Sequence, residues 1–438
     1  MSSNYEKYLT FRKRFPIFTY ESFSVTRSEK KISIEFLFVA DEQIKFQPTL
    51  SIPARSFYKI DELSDEQINV LAFHIGMIEL VSYWKATCSP RVIVKPFALS
   101  NAQIEWWKKL YFHGLGEFFY VNEIATNLSE FMTIEPVPDV VLQKQKYNLD
   151  EKTIVPIGGG KDSVVTLELL RKSNVEIRPM IINPRGATLN CAKIAGFERE
   201  QIIEVNRTIC PRLLELNAEG FLNGHTPFSA MLAFVSLLTS AITGMKHIAL
   251  SNESSANEPT VLGEDVNHQY SKSLEFENDF RDYVKNFISK DFDYFSFLRP
   301  FNELKIAEYF SEFPQYHSVF RSCNVGSKND IWCCNCAKCL FAYIILSPFI
   351  EPDKMIEIFG RDLFVETDNC PSLRYEFNQL IGIEKTKPFE CVGTIEEVNT
   401  ALNMYIQRFP NHTPALIEYY KTLPNYTKNP IGITSASG

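Results

Sequence analysis

No run of 18 apolar residues occurs in this 438-residue chain, which excludes a membrane-spanning helix of ordinary length. The N-terminal text, MSSNYEKYLTFRKRF, lacks the apolar core of a secretory signal. Positive charge is not in excess. The 45 Lys and Arg against 53 Asp and Glu leave a net charge of −8, so no nucleic-acid surface is implied. No internal repeat is present. The common phosphate loop, with four residues between its glycines and a Gly-Lys-Ser/Thr end, is also missing. From these absences we expect a cytoplasmic protein that binds neither nucleic acid nor membrane.

The composition supports large cores, at 45% apolar and 13% aromatic residues, and the length suggests two or three domains. Residues 15–53 alternate in short runs (FTYESFSV, KISIEFLFV, QIKFQPTLSI) between charged turns, the pattern of an antiparallel meander. Over 64–86 the period becomes helical, carried by Ile68, Leu71, Ile75, Ile78 and Val81. Residues 101–122 are also helical, with Trp106 and Trp107 expected in the core. Residues 1–145 are thus expected to form an α+β N-terminal domain. In 146–345 strands alternate with helices, at 177–182, 201–205 and HIALS, and a long apolar helix is closed by Gly244. This alternation predicts an α/β domain with a parallel sheet covered on both faces. After Phe280 the text reads as helical up to the cysteines. Residues 346–438 are expected to be helical, with the last dozen disordered.

The stretch TIVPIGGGKDSVVTLELL (153–170) reads as strand, glycine turn and helix. Gly158, Gly159 and Gly160 allow a tight turn with unobstructed N–H groups, which suit phosphate at a helix start. Lys161, Asp162 and Ser163 add a cation, a carboxylate for a metal and a hydroxyl. Ligands of parallel sheets bind at the carboxyl ends of the strands. This loop and residues 251–257 should therefore face one crevice.

Four of the ten cysteines lie within 333–339. Cys333, Cys336 and Cys339, with Cys323 upstream, have the spacing to wrap one tetrahedral ion, and Cys334 is an alternative to Cys333. The triple also resembles iron–sulfur ligation. A four-thiolate zinc site has no open position, so it serves folding rather than catalysis. Four further strings are dense in acids, bases and hydrogen-bond donors: NGHTP (223–227), SNESSANE (251–258), VNHQYSKS (266–273) and KPFECVG (387–393). Loops of this kind form active sites.

Gly-Gly-x-Asp-Ser after a strand resembles the PP-loop of the ATP pyrophosphatases, with Gly158 standing where that superfamily often has Ser. The resemblance implies cleavage of ATP between its α and β phosphates and adenylation of a carboxylate. The cysteine arrangement is similar to that of the deazaguanine (preQ0) synthase branch, where the zinc is structural, and this favours Zn²⁺ here. GGGKDS together with the four polar strings resembles the MurL family of UDP-N-acetylmuramoyl-L-alanyl-L-glutamate epimerases over most of the chain. That resemblance implies an ATP- and Mg²⁺-dependent inversion of the terminal L-glutamate of a UDP-muramoyl dipeptide. The chemistry is coherent. A carboxylate's α-proton is very weakly acidic, and a mixed anhydride with AMP makes it removable by an ordinary side chain. Inversion then needs a proton donor and an acceptor on opposite faces, or one group plus water. The candidates are His225, His268, Lys272, Glu253 and Cys391, the thiol included because thiolates serve cofactor-free glutamate racemases. His225 and His268 are expected from opposite sides of the crevice. The competing readings are a preQ0 synthase-like ligase, which would amidate the adenylated acid, and a nucleotide sensor without turnover.

Overall fold

The computed structural model describes residues 3–424 and 426, apart from 262, 264, 265 and 367–371. The expected disordered tail, 427–438, lies outside the described residues. Among the described residues, eleven strands form one sheet. In chain order they are β1 (Ile17–Arg27), β2 (Lys31–Ala40), β3 (Ile44–Phe46), β4 (Thr49–Pro53), β5 (Arg91–Val94), β6 (Thr133–Pro136), β7 (Asp150–Pro156), β8 (Ile177–Ile182), β9 (Ile203–Thr208), β10 (Met245–Leu250) and β11 (Asp293–Ser296). The spatial order is β11-β10-β7-β8-β9-β4-β2-β1-β5-β6, with β3 beside β2.

β11, β10, β7, β8 and β9 run parallel. From β7 the chain winds outward through β8 to β9, then returns to the other side of β7 for β10 and β11. The winding reverses between β7 and β10. In open α/β sheets such a reversal opens a crevice at the carboxyl ends of the strands. The first meander strands behave as their alternation predicts: β1, β3 and β4 all pair antiparallel with β2. β4 then pairs antiparallel with β9, with Thr49 opposite Thr208, and joins the two halves into one sheet. The expected boundary near residue 145 falls between β6 and β7, and the sheet continues across it.

Three strands are not legible in the periodicity: β5, β6 and β11. Each has four residues, too few to display alternation, and each pairs with a partner distant in sequence. β11 corrects the helical reading of residues after Phe280. The helix there, Leu274–Phe287, ends before Ile288, and DYFS extends the parallel edge instead.

One core fills one side, built from β1–β6 and helices Asp65–Trp84, Phe228–Thr243 and Leu274–Phe287. A second core carries helix Lys161–Lys172, which follows the glycine loop, the cluster cysteines and the C-terminal helices. Helix Asp65–Trp84 begins at a capping box, in which Gln67 N donates to Ser64 Oγ (3.2 Å) and Ser64 N to Gln67 Oε1 (2.7 Å). Its period suggests one apolar face, yet it is buried almost all round because Phe228–Thr243 packs across it. The charge it buries, Glu79, is matched by a bidentate Arg207 from β9 at 2.7 and 2.8 Å. Trp107 is fully buried and Trp106 partly, donating to the Asp279 carbonyl, so both belong to the core. Gly244 ends Phe228–Thr243 at φ 68°. No helix among the described residues is long and apolar enough to cross a membrane.

Candidate active site

The glycine loop follows β7 directly and lies beside the reversal point. Gly160 caps helix Lys161–Lys172 without a side-chain hydrogen bond, which leaves the first-turn N–H groups to the cleft. The three glycines are not equivalent. Gly159 has φ 81°, and a Cβ there would sit 3.0 Å from the Ala187 backbone. A Cβ on Gly158 meets nothing within 4 Å. Gly158→Ser should therefore leave stability within about 0.5 kcal/mol of the parent. Gly159→Ala should cost about 1–2 kcal/mol from the left-handed backbone alone and should impair nucleotide turnover. Denaturant midpoints of the two variants check this, and equal midpoints would show that the loop conformation does not require glycine.

Lys161 is not at the loop mouth. It is 4% exposed and its Nζ is paired with Asp162 Oδ1 (2.5 Å) and with the Glu303 carboxylate. Burial opposes its charge, but Asp162 and Glu303 outweigh burial and raise its pKa. Burial likewise pushes Glu303 up, to about 8, against the pull of Lys161. Burial also opposes ionisation of Asp162, but Lys161 outweighs it, with Lys338 and Lys272 adding, and the carboxyl is held low. The cations that line the cleft are Arg185, Lys272, Arg321 and Lys338. Its volume is about 370 Å³, and Gly158, Gly160, Asp162 and Ser163 share it with Ser251, Asn252 and Cys391. The loops after β7 and β10 thus face one crevice, as the strand pattern predicts.

Three polar strings are tied to one another there. Lys387 N donates to the Thr260 carbonyl (2.9 Å), Lys387 Nζ pairs with Glu258, and Gln269 Nε2 donates to the Val392 carbonyl (3.1 Å). These ties bring Cys391 near His268 and Lys272, whose charges act on its sulfur, and Lys272 shares the cleft wall with it. His268 Nδ1 in turn lies 2.5 Å from Glu117 Oε2. Glu117 belongs to the helix Gly116–Val121, far away in sequence. His225 Nδ1 is 3.6 Å from the same oxygen. The rings of His225 and His268 stand with centroids 4.3 Å apart. This corrects the expectation that they flank a substrate: no carbon fits between rings so close, and both lie on one side, gathered by Glu117. Glu253 is buried, accepts from Ser255 Oγ, and adds to the pull of Cys391 on the Lys272 charge.

The electrostatics divide these groups. Burial opposes the Cys391 thiolate, yet Lys272, His268 and Lys338 lower its pKa to about 5. Burial opposes the His268 cation, yet Cys391 and Glu117 raise it to about 9. Burial, then His268, Lys85 and Lys272, push His225 down to about 3. At neutral pH the cluster holds a thiolate, an imidazolium, an ammonium and a neutral imidazole. Glu390, the preceding residue in the chain, is raised to about 7, first by burial. The thiolate is the reactive form. Alkylation of Cys391 by iodoacetamide should hold its rate down to about pH 5 and fall below that. An ordinary thiol would already slow below about pH 8.5. Peptide mapping across pH reads the onset, and an onset near 8.5 would refute the thiolate.

The cysteine cluster lies against this cleft, with Cys323 in its wall. Sγ atoms of Cys323, Cys333, Cys336 and Cys339 all lie within 4.8 Å of one another, and Cys333–Cys339 is 3.7 Å. A tetrahedral ion with bonds of about 2.3 Å needs sulfurs about 3.8 Å apart, so four thiolates around one zinc fit. Gly326 N, 3.0 Å from Cys323 Sγ, and Asn335 N, 3.5 Å from Cys333 Sγ, are placed to hold charged sulfur. Cys334 is not in the set, since its Sγ lies 3.0 Å from the Phe359 carbonyl.

Sequence reasoning does not find Glu117, Glu303 or Lys338. Lys338 carries a usable signal, standing between two clustered cysteines. The two acids sit singly in ordinary helical text.

Family models match nearly the whole chain: the MurL N-terminal domain over residues 10–297 and the MurL C-terminal domain over 316–428. A protein of Micromonospora sp. named UDP-N-acetyl-alpha-D-muramoyl-L-alanyl-L-glutamate epimerase is 30% identical over 90% of this chain and 88% of its own length. Proteins of the same name from Salinispora tropica and Xanthomonas oryzae are 31% and 32% identical, over 90% and 76% of this chain and 85% and 74% of their own lengths.

Proposed function

The chain belongs to the MurL family, and from that premise we propose how its cleft works. It epimerises the terminal L-glutamate of UDP-N-acetylmuramoyl-L-alanyl-L-glutamate to D-glutamate, a step in making peptidoglycan precursor. ATP supplies the activation. The glycine loop is of the PP-loop type, ATP is cut to AMP and pyrophosphate, and the glutamate α-carboxylate becomes an acyl-adenylate. The observation that carries this reading is the shared cleft. The glycine loop and helix start, suited to phosphate, open into the same space as Cys391 and Lys272, suited to carbonyl and proton chemistry.

The chain's own groups have distinct tasks. The loop N–H groups and the cations Arg185, Lys272, Arg321 and Lys338 hold polyphosphate. Asp162 would hold Mg²⁺, which when bound would neutralise the phosphate charge. His225, His268 and Lys272 move protons, and Cys391 faces the acyl carbon from the cleft wall. Glu253 supports Lys272. Four thiolates hold a structural Zn²⁺. ATP and a UDP-linked precursor place the work in the cytoplasm. The relatives' names favour inversion over amidation.

Incubation with ATP, Mg²⁺ and the UDP-muramoyl dipeptide tests the reading. The expected products are AMP, pyrophosphate and D-glutamate on hydrolysis of the peptide, with one solvent deuteron at the α-carbon in deuterated water. ADP and phosphate, or retained L-configuration with release of an amide, would overturn it.

A further inference from the structure

A side chain needed only to pull a proton from carbon calls for high proton affinity. Cys391 has the opposite arrangement. Lys272 lines the same cleft wall as Cys391, and Lys272 and His268 each stabilise negative charge on its sulfur, which weakens the thiolate as a base. His268 is itself fixed from behind by Glu117 at 2.5 Å. Glu117 holds His268, and His268 acts on the Cys391 sulfur, so the three residue types are those of nucleophile, base and orienting group. A thiolate of low proton affinity is a poor base for a weakly acidic C–H and a competent nucleophile toward an activated acyl group. It lies in the wall of the cleft that contains the glycine loop and Asp162.

We propose that Cys391 is the nucleophile of a covalent step, taking the glutamyl α-acyl group from AMP as a thioester on which inversion occurs. The inference rests on the adenylation reading above. The thiolate attacks the acyl carbon; the C–S bond forms, the C–O bond to AMP breaks, and AMP leaves with the electron pair. No proton moves, because the thiol is already ionised. The α-proton next to a thioester is removable through an enolate with one negative charge. Acylation also removes the thiolate that kept His268 protonated, and His268 is then free to act with His225 and Lys272 in the transfer. Water finally adds to the thioester carbon, the C–S bond breaks, and the thiolate leaves. The water's two protons are released, and the product is the D-glutamyl carboxylate. No oxidant or further co-reactant is required. Release of AMP before inversion also clears the cleft beside the reacting carbon. Glu117 takes part through His268, as a positioning residue.

Acid quench of the wild-type protein during turnover with ATP, Mg²⁺ and the dipeptide substrate reads the intermediate directly. Intact mass should rise by the substrate less one water. The adduct should map to Cys391 and be removed by neutral hydroxylamine. Cys391→Ser should release one equivalent of pyrophosphate per chain without inverting glutamate. Glu117→Gln should slow adduct formation and move the pH onset of Cys391 alkylation upward, which a purely structural role would leave unchanged. Pyrophosphate release with no adduct at any quench time, or inversion by Cys391→Ala within tenfold of wild type, would overturn the thioester and leave adenylation standing. Absence of pyrophosphate with every protein would instead overturn adenylation itself.

Discussion

Asp162→Ala should lower pyrophosphate release by about a thousandfold, the scale on which a group that stabilises transition-state charge counts. Among the described residues lining the cleft, Asp162 is the only carboxylate, set against four cations. A polyphosphate entering with Mg²⁺ therefore has one side chain on the cleft wall to offer the metal an anionic oxygen. The carboxyl is held low by Lys161, so it is ionised across the working range. Its side chain is 31% exposed, whereas Lys161 and Glu303 are each 4% exposed behind it. The substitution leaves Lys161 paired with Glu303 and removes the upward push of Asp162 on the Glu303 carboxyl, so the network keeps a neutralised core. A denaturant midpoint close to the parent's, combined with lost turnover, assigns the residue to catalysis. Glu303→Ala is the contrasting case, because it leaves the buried Lys161 with Asp162 alone. It should destabilise by about 3–5 kcal/mol, the cost of breaking a buried pair from one side. Turnover by Asp162→Ala at more than a tenth of the parent rate would place the metal elsewhere.

What the sequence shows of this site follows from how local each feature is. The strand, glycine turn and helix of 153–170 are contiguous, and the structure matches them closely because a tight turn and a helix start are decided by neighbouring residues. The Gly244 cap and the Ser64 box are legible for the same reason. Asparagine, serine, histidine and lysine crowded into 251–273 mark a loop poor in apolar residues, and that density points to a site without giving its geometry. The geometry depends on contacts between distant segments. Glu117 is an ordinary acid in a short helix, and only folding places it between two histidines more than a hundred residues away. Lys161, the most conspicuous cation of the loop, is turned inward by Glu303, an acid that text after Phe301 gives no reason to select. The cleft cations come instead from four separate segments. The expected placement of His225 and His268 on opposite sides fails on the same ground, since chain order alone does not say which loops fold over toward each other.

Each chain should carry one zinc on Cys323, Cys333, Cys336 and Cys339, and losing it should unfold the C-terminal core. Four thiols within 4.8 Å of one another crowd a space that otherwise holds only weak donors. Cys336 caps helix Ala337–Leu346, whose positive end favours thiolate. The same helix is buried through most of its length against helices Glu303–Ser311 and Ile395–Arg408, so the ion fixes the start of a central element. Structural zinc in small domains contributes on the order of 10–16 kcal/mol, comparable with the roughly 5–15 kcal/mol of a whole protein's stability. Cys336→Ser or Cys339→Ser should therefore give protein that is largely insoluble or lacks cooperative unfolding. A strong chelator should lower the thermal midpoint of the parent in step with zinc release. Cys334→Ser should keep a full equivalent of zinc, because its sulfur is directed to the Phe359 carbonyl rather than to the cluster. Elemental analysis of protein purified without added metal decides the matter. Iron–sulfur absorption, or zinc retained by Cys333→Ser and lost by Cys334→Ser, would overturn the assignment. A second zinc equivalent would point to Glu117, His225 and His268, whose ligand atoms also lie within 4.8 Å of one another, and would remove those histidines from proton transfer.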